Sequence, residues 1–254
     1  MDIGNIALLR KHRMIVFGEV HGTNEVPELV SAVTYELAKD GAKVLVALEV
    51  LDLLNGTLAD FVAGTIGVDQ LLAGEVFWNR PAAWQDGRSS RAMLGLLQDV
   101  REYRNRGLAI DLRGMDSTVR SARDREASMA LNLRTLVDNL PYDHVVVLTG
   151  RRHARRTPRF LGVGPRSMAS YFRRGELFLV HVSFRGGCSW HCPQGGVCGV
   201  HDLPAVSDGG PFNRVNPLPP DSRRARRFDA EIVLASATPS PPACRLPEDA
   251  GTQK

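Results

Sequence analysis

The chain has 254 residues, 43% hydrophobic and 24% charged, with a formal net charge of +4. That length can bury one large core, and no apolar run approaches the roughly 18 residues that a membrane-spanning helix needs. With only 6% aromatic residues and no recognisable nucleic-acid module, its excess charge, gathered in Arg151-Arg152-His153-Ala154-Arg155-Arg156 and Arg223-Arg224-Ala225-Arg226-Arg227, reads as a solvated face or as a rim attracting an anionic substrate.

In chain order, Arg10, Lys11 and Arg13 are followed by no apolar stretch of signal-peptide length, so a cytoplasmic location is expected. Met14-Ile15-Val16-Phe17 reads as a buried strand. A helix follows, capped by Thr23 or Asn24, with Pro27 in its first turn and Val26, Leu29, Val30, Val33 and Leu37 on one face up to Gly41. Lys43 to Leu48 is a second buried strand with Glu49 at its carboxyl end. Residues 52–87 carry scattered Gly, Pro and Trp, and segment 52–106 is expected as a small helical lid insertion. It ends in a helix capped by Ser89 or Ser90 with Met93, Leu94, Leu97, Val100 and Tyr103 in register.

Leu108 to Leu112 makes the third strand, and a helix over about 118–140 buries Met129, Leu133, Leu136, Val137 and Leu140. Val145-Val146-Val147-Leu148 is the fourth strand; Leu177–Phe184 and Glu231–Ala235 are two more, with a short helix near 167–174 before them. Residues 186–222 form a Gly/Pro/Cys-rich loop, and 243–254 a tail after a single domain over 1–242. The alternation predicts an α/β fold: a mostly parallel sheet flanked by helices, with right-handed crossovers aligning the carboxyl ends of the strands.

Two copies of Gly-x-x-His, Gly18-Glu19-Val20-His21 and Gly150-Arg151-Arg152-His153, follow the first and fourth strands directly. Together with Glu49 and Asp116 they bring titratable groups from four segments to one strand-end crevice. For hydrolysis, His21 is the candidate base that deprotonates water. Glu19 or Glu49 orients its ring, and His153 with Arg125 or Arg152 polarises the carbonyl. The same Glu19, His21, Glu49 and His153 also make a nitrogen and oxygen ligand set for a divalent metal such as zinc or manganese. Taken singly, each carboxylate can instead serve a helix terminus and each imidazole can be a satisfied core group, and Asp116 is also a good turn and cap residue.

These residues resemble the superfamily that joins erythromycin esterases, haem-binding ChaN-like proteins and Tiki/TraB-type metalloproteases. The resemblance rests on Gly18-Glu19-x-His21-Gly22-Thr23-Asn24-Glu25, the acidic Glu49, Arg125 through Met129-Ala130, and Gly150-x-x-His153-Ala154. Phe160-Leu161-Gly162 through Phe184 and Ser240-Pro241-Pro242 also look similar. It implies a hydrolase of a small-molecule or peptide ester or amide, or alternatively a ChaN-like haem- or metal-binding protein without turnover. No nucleic-acid or membrane partner is expected, and nothing in the chain specifies an oligomeric state.

A second constellation, Cys188, Cys192, Cys198 and His201, lies in the Gly-rich loop. It lacks paired Cys-x-x-Cys hooks and reads first as a substrate-covering loop, with a zinc site and a local disulfide as further readings.

Overall fold

A computed structural model describes residues 1–74, 77–81, 84–119, 121–139, 141–156, 166–193, 196–206 and 210–244. Phe160-Leu161-Gly162, Leu140 and the last ten residues of the expected tail lie outside the described residues. After a short helix α1 (Ile6–Leu9), the units alternate as the apolar runs dictate: β1 (Met14–Glu19), α2 (Glu25–Ala38), β2 (Val44–Leu51), α3 (Asn55–Ala63), α4 (Val68–Gly74), α5 (Arg91–Asn105), β3 (Ile110–Asp116), α6 (Ala122–Asn139), β4 (His144–Gly150), α7 (Arg151–Ala154) and β5 (Phe178–Phe184). β6 (Cys188–His191), β7 (Gly199–Asp202), β8 (Asn216–Pro217) and β9 (Ala230–Leu234) complete the set.

Seven strands form one sheet in the order β3-β2-β4-β1-β5-β9-β8, parallel throughout except for the short β8 against β9. Period-two alternation divides the core. Ile15, Phe17, Val44, Val46 and Leu48 face one layer, with Leu29 and Val33 of α2, Phe61 of α3 and Leu97 of α5. Val16, Leu45, Ala47, Val145 and Val147 face the other, with Met129, Leu133 and Val137 of α6, Met168 and Phe228. Each fully buried Leu or Phe contributes about 1.5–3 kcal/mol of transfer free energy. Being covered on both faces, the strands need apolar residues at every position, which is why they are continuous runs in the sequence.

Segment 52–106 carries the helices α3, α4 and α5. Leu54, Leu58, Phe61, Leu71, Leu96, Leu97 and Val100 are buried in the layer that α2 also fills, so its helices cover the sheet. Ser90 caps α5 by accepting the Met93 amide at 3.3 Å. Part of the expected loop 186–222 is ordered as the antiparallel hairpin β6–β7 and as β8. Among the described residues no helix is long and apolar enough to cross a membrane.

The order of strands places a reversal at β1 and β4, which are neighbours in register from Met14–Val145 to Glu19–Gly150. From β1 the chain leaves to α2 on one face; from β4 it enters α7, whose Ala154 packs into the opposite layer. The two exits diverge and leave a crevice above the carboxyl ends of the strands, the usual ligand position in open α/β sheets.

Candidate active site

Glu19 ends β1 and is 4% exposed; His21 stands two residues on and is 20% exposed on its side chain. Its Nδ1 lies 2.9 Å from Glu19 Oε1. Its Nε2 lies 3.5 Å from Glu49 Oε2, too long for a strong hydrogen bond. Burial disfavours a charged imidazole, but Glu49 and Glu19 outweigh it and raise the His21 pKa above its ordinary value. Burial likewise raises Glu19, whose Oε2 is buried without a hydrogen-bond partner.

Glu49, on β2, is the anionic centre. Oε2 accepts from the Thr149 hydroxyl and the Gly150 amide, both at 2.8 Å, and Oε1 accepts from Arg125 at 2.8 Å and Arg88 at 3.3 Å. Burial pushes its pKa up, yet His21, His153 and Arg88 hold it well below the usual carboxylate range. Asp116, at the end of β3, accepts from the same two guanidiniums, at 2.6 Å from Arg125 and 2.9 Å from Arg88. Asp86 fixes the far side of Arg88 at 2.8 Å.

His153, on α7, has Nδ1 2.7 Å from Glu126 Oε1 and Nε2 3.4 Å from Glu49 Oε1 and 3.3 Å from Arg125. Burial opposes its charge, but Glu126 and Glu49 raise its pKa to about 9, so it is an imidazolium at neutral pH. Glu126 is itself held by the Met168 amide at 2.6 Å.

The structure therefore gathers Glu19, His21, Glu49, Asp116, Arg125 and His153 at one edge, but leaves Arg152 exposed on α7. Three members were not anticipated: Arg88, Asp86 and Glu126. Glu126 follows Arg125 on the predicted helix, which was its only signal; Arg88 and Asp86 sit in the irregular stretch before α5, where no periodicity points to a site.

Two glycines shape the edge. Gly22 has φ +75° and its Cβ position is 1.9 Å from the Trp190 carbonyl oxygen, so only glycine fits beneath the hairpin. Its own carbonyl accepts from the amides of Trp190 and Ser240, each at 2.8 Å. A Cβ on Gly150 would lie 3.0 Å from His21 Nε2, so the bare backbone leaves that nitrogen room.

In the hairpin, Cys192 and Cys198 are bonded to each other, Cys188 Sγ donates to Asp202 at 3.2 Å, and His201 Nε2 meets the Val197 carbonyl at 2.9 Å. Two of the four expected zinc ligands are thus consumed as a disulfide, in place of the metal site. The Trp190 indole donates to the Gln85 carbonyl at 2.9 Å, tying this hairpin to the loop that carries Arg88. Among the described residues no three His, Cys, Asp or Glu side chains are placed to share a metal ion.

No protein-family model and no curated protein sequence matches the chain. Solved structures do. An erythromycin esterase, EreC, in its open conformation superposes with TM-score 0.61 at 12% identity over 91% of this chain and 92% of that one. A succinoglycan biosynthesis protein gives 0.58 at 10% over 93% and 91%, and a Bacillus cereus protein 0.56 at 13% over 92% and 90%. Across nearly its whole length, then, this chain has the fold of erythromycin esterase, as the two Gly-x-x-His signatures had led us to expect.

Proposed function

We propose that the protein is a hydrolase that cleaves an ester or amide bond of a small molecule or peptide with water activated by His21. The observation that carries this reading is the setting of His21: Nδ1 bound to a buried carboxylate, Nε2 without a close partner, and the ring partly exposed at the crevice. A carboxylate on one ring nitrogen fixes the tautomer that leaves the other as a base. Nε2 takes a proton from water, the oxygen attacks the carbonyl carbon, and the intermediate collapses with loss of the alcohol or amine, which recovers the proton from His21.

The imidazolium of His153, with Arg125 behind it, supplies the positive field for the developing oxyanion. Arg88, Asp86 and Asp116 act as positioning residues by holding Glu49 and Arg125. The donor set favours this over metal-activated water: both oxygens of Glu49 are already occupied by two guanidiniums, a hydroxyl and an amide, and the nearby positive charges repel a divalent cation.

The test is turnover of a panel of chromogenic esters and anilides. His21→Ala is expected to lower kcat/KM by about 100- to 10,000-fold while circular dichroism stays native. Activity equal to the wild type in that variant refutes the mechanism.

A further inference from the structure

Beside the crevice opens a cavity of about 330 Å³, lined by Arg151, Arg152, Arg155, His181, Arg227 and Phe228. Its lining is cationic, with four guanidiniums around one hollow. Arg125, Arg156 and Arg224 each pair with a carboxylate, at 2.6, 2.8 and 2.9 Å. The four guanidiniums of the cavity have none among the described residues. They crowd one another instead: burial, then Arg227, Arg152 and Arg151, pull Arg155 below its ordinary value against the smaller opposing effect of Glu126.

The remaining wall is flat and uncharged. The His181 ring stacks on Phe228 with centroids 4.9 Å apart, and burial followed by Arg151 lowers its pKa to about 4, so it adds no charge at neutral pH. Its Nδ1 is buried and has no hydrogen-bond partner. Four like charges surround one hollow, and among the described residues none of the four forms an ion pair, with Glu126 acting only at a distance on Arg155; the excess of positive charge favours an anion.

The cavity also adjoins the reacting edge. Arg151 directly follows Gly150, whose Cβ position lies 3.0 Å from His21 Nε2. The cavity and the reacting edge therefore meet at the junction of β4 and α7.

We propose that this cavity binds the phosphate group of a small phosphorylated ligand, held by Arg151, Arg152, Arg155 and Arg227 with the His181–Phe228 stack as its apolar wall. A phosphate monoester carries about two negative charges at neutral pH and three acceptor oxygens that suit guanidinium forks. A carboxylate brings one charge to four cations. That the ligand is the substrate cleaved at His21 rests on the hydrolase reading; the binding itself does not.

Isothermal titration calorimetry with phenyl phosphate at low ionic strength tests it. Saturable one-to-one binding is expected, weakened about tenfold or more by Arg152→Ala with Arg227→Ala, and unchanged in His21→Ala. Both arginines are exposed, so circular dichroism and the unfolding midpoint of the double variant should match the wild type. Three results overturn the assignment: undiminished binding in the double variant, benzoate binding as tightly as phenyl phosphate, or a single-stranded oligonucleotide binding more tightly with each added nucleotide. Retained turnover in His21→Ala with intact phenyl phosphate binding removes the His21 mechanism and leaves the cavity assignment standing.

Discussion

His153 carries its charge at a cost in solvation that Glu126 and Glu49 offset, and this makes the folded state sensitive to pH. The folded pKa of about 9 lies above the ordinary 6.5. Its contribution to stability is therefore fully present below about 6.5 and is lost as pH rises through about 9. Urea unfolding of wild type and His153→Gln should give a stability difference that shrinks across that window; a constant or growing difference contradicts the ion pair. His21 gives the kinetic counterpart. A base works when deprotonated, so kcat/KM should rise with pH through the His21 pKa, and Glu19→Gln should move that inflection to lower pH by removing a charge that raises it. An inflection that does not move excludes the Glu19–His21 pair from the mechanism. Residues such as His21 and Glu49 were legible because they follow apolar strands, whereas Arg88 reaches Glu49 from 39 positions away in a stretch without period.

Among the elements, the buried strands were the clearest in the sequence, since short continuous apolar runs such as Met14–Phe17 and Val145–Leu148 admit few alternatives. The hairpin β6–β7 was not, because its strands span four residues each and are mostly half-buried, so no apolar run marks them. Within 52–106, irregular turns likewise hid helical faces that tertiary packing reveals as core. The end of β4 offers a test at this scale. Gly150 has φ −57°, which alanine adopts freely, yet the added methyl would meet His21 Nε2 at 3.0 Å. Gly150→Ala should lower kcat by about tenfold or more through displacement of the imidazole, with the thermal midpoint unchanged. A large loss of stability with normal kcat would show that the strand end, and not the histidine, is under constraint.

For the molecule as a whole, one sheet separates two apolar layers, and the reactive edge belongs to neither. Leu29 lies fully buried on one side and Met129 on the other. Leu29→Ala and Met129→Ala should each cost about 2–5 kcal/mol and add to within about 0.5 kcal/mol in the double variant, as urea unfolding will measure. A markedly non-additive sum would mean that strain passes through the sheet.

The carbonyl oxygen of Gly22 has a wider consequence. By accepting amides from Trp190 and from Ser240, it rivets three stretches of backbone at the residue following the proposed base. Any swing of the His21 turn must drag the disulfide-bearing ribbon and the Ser240 segment with it, or sever both bonds at once. One carbonyl thus couples the position of the base to two distant parts of the chain.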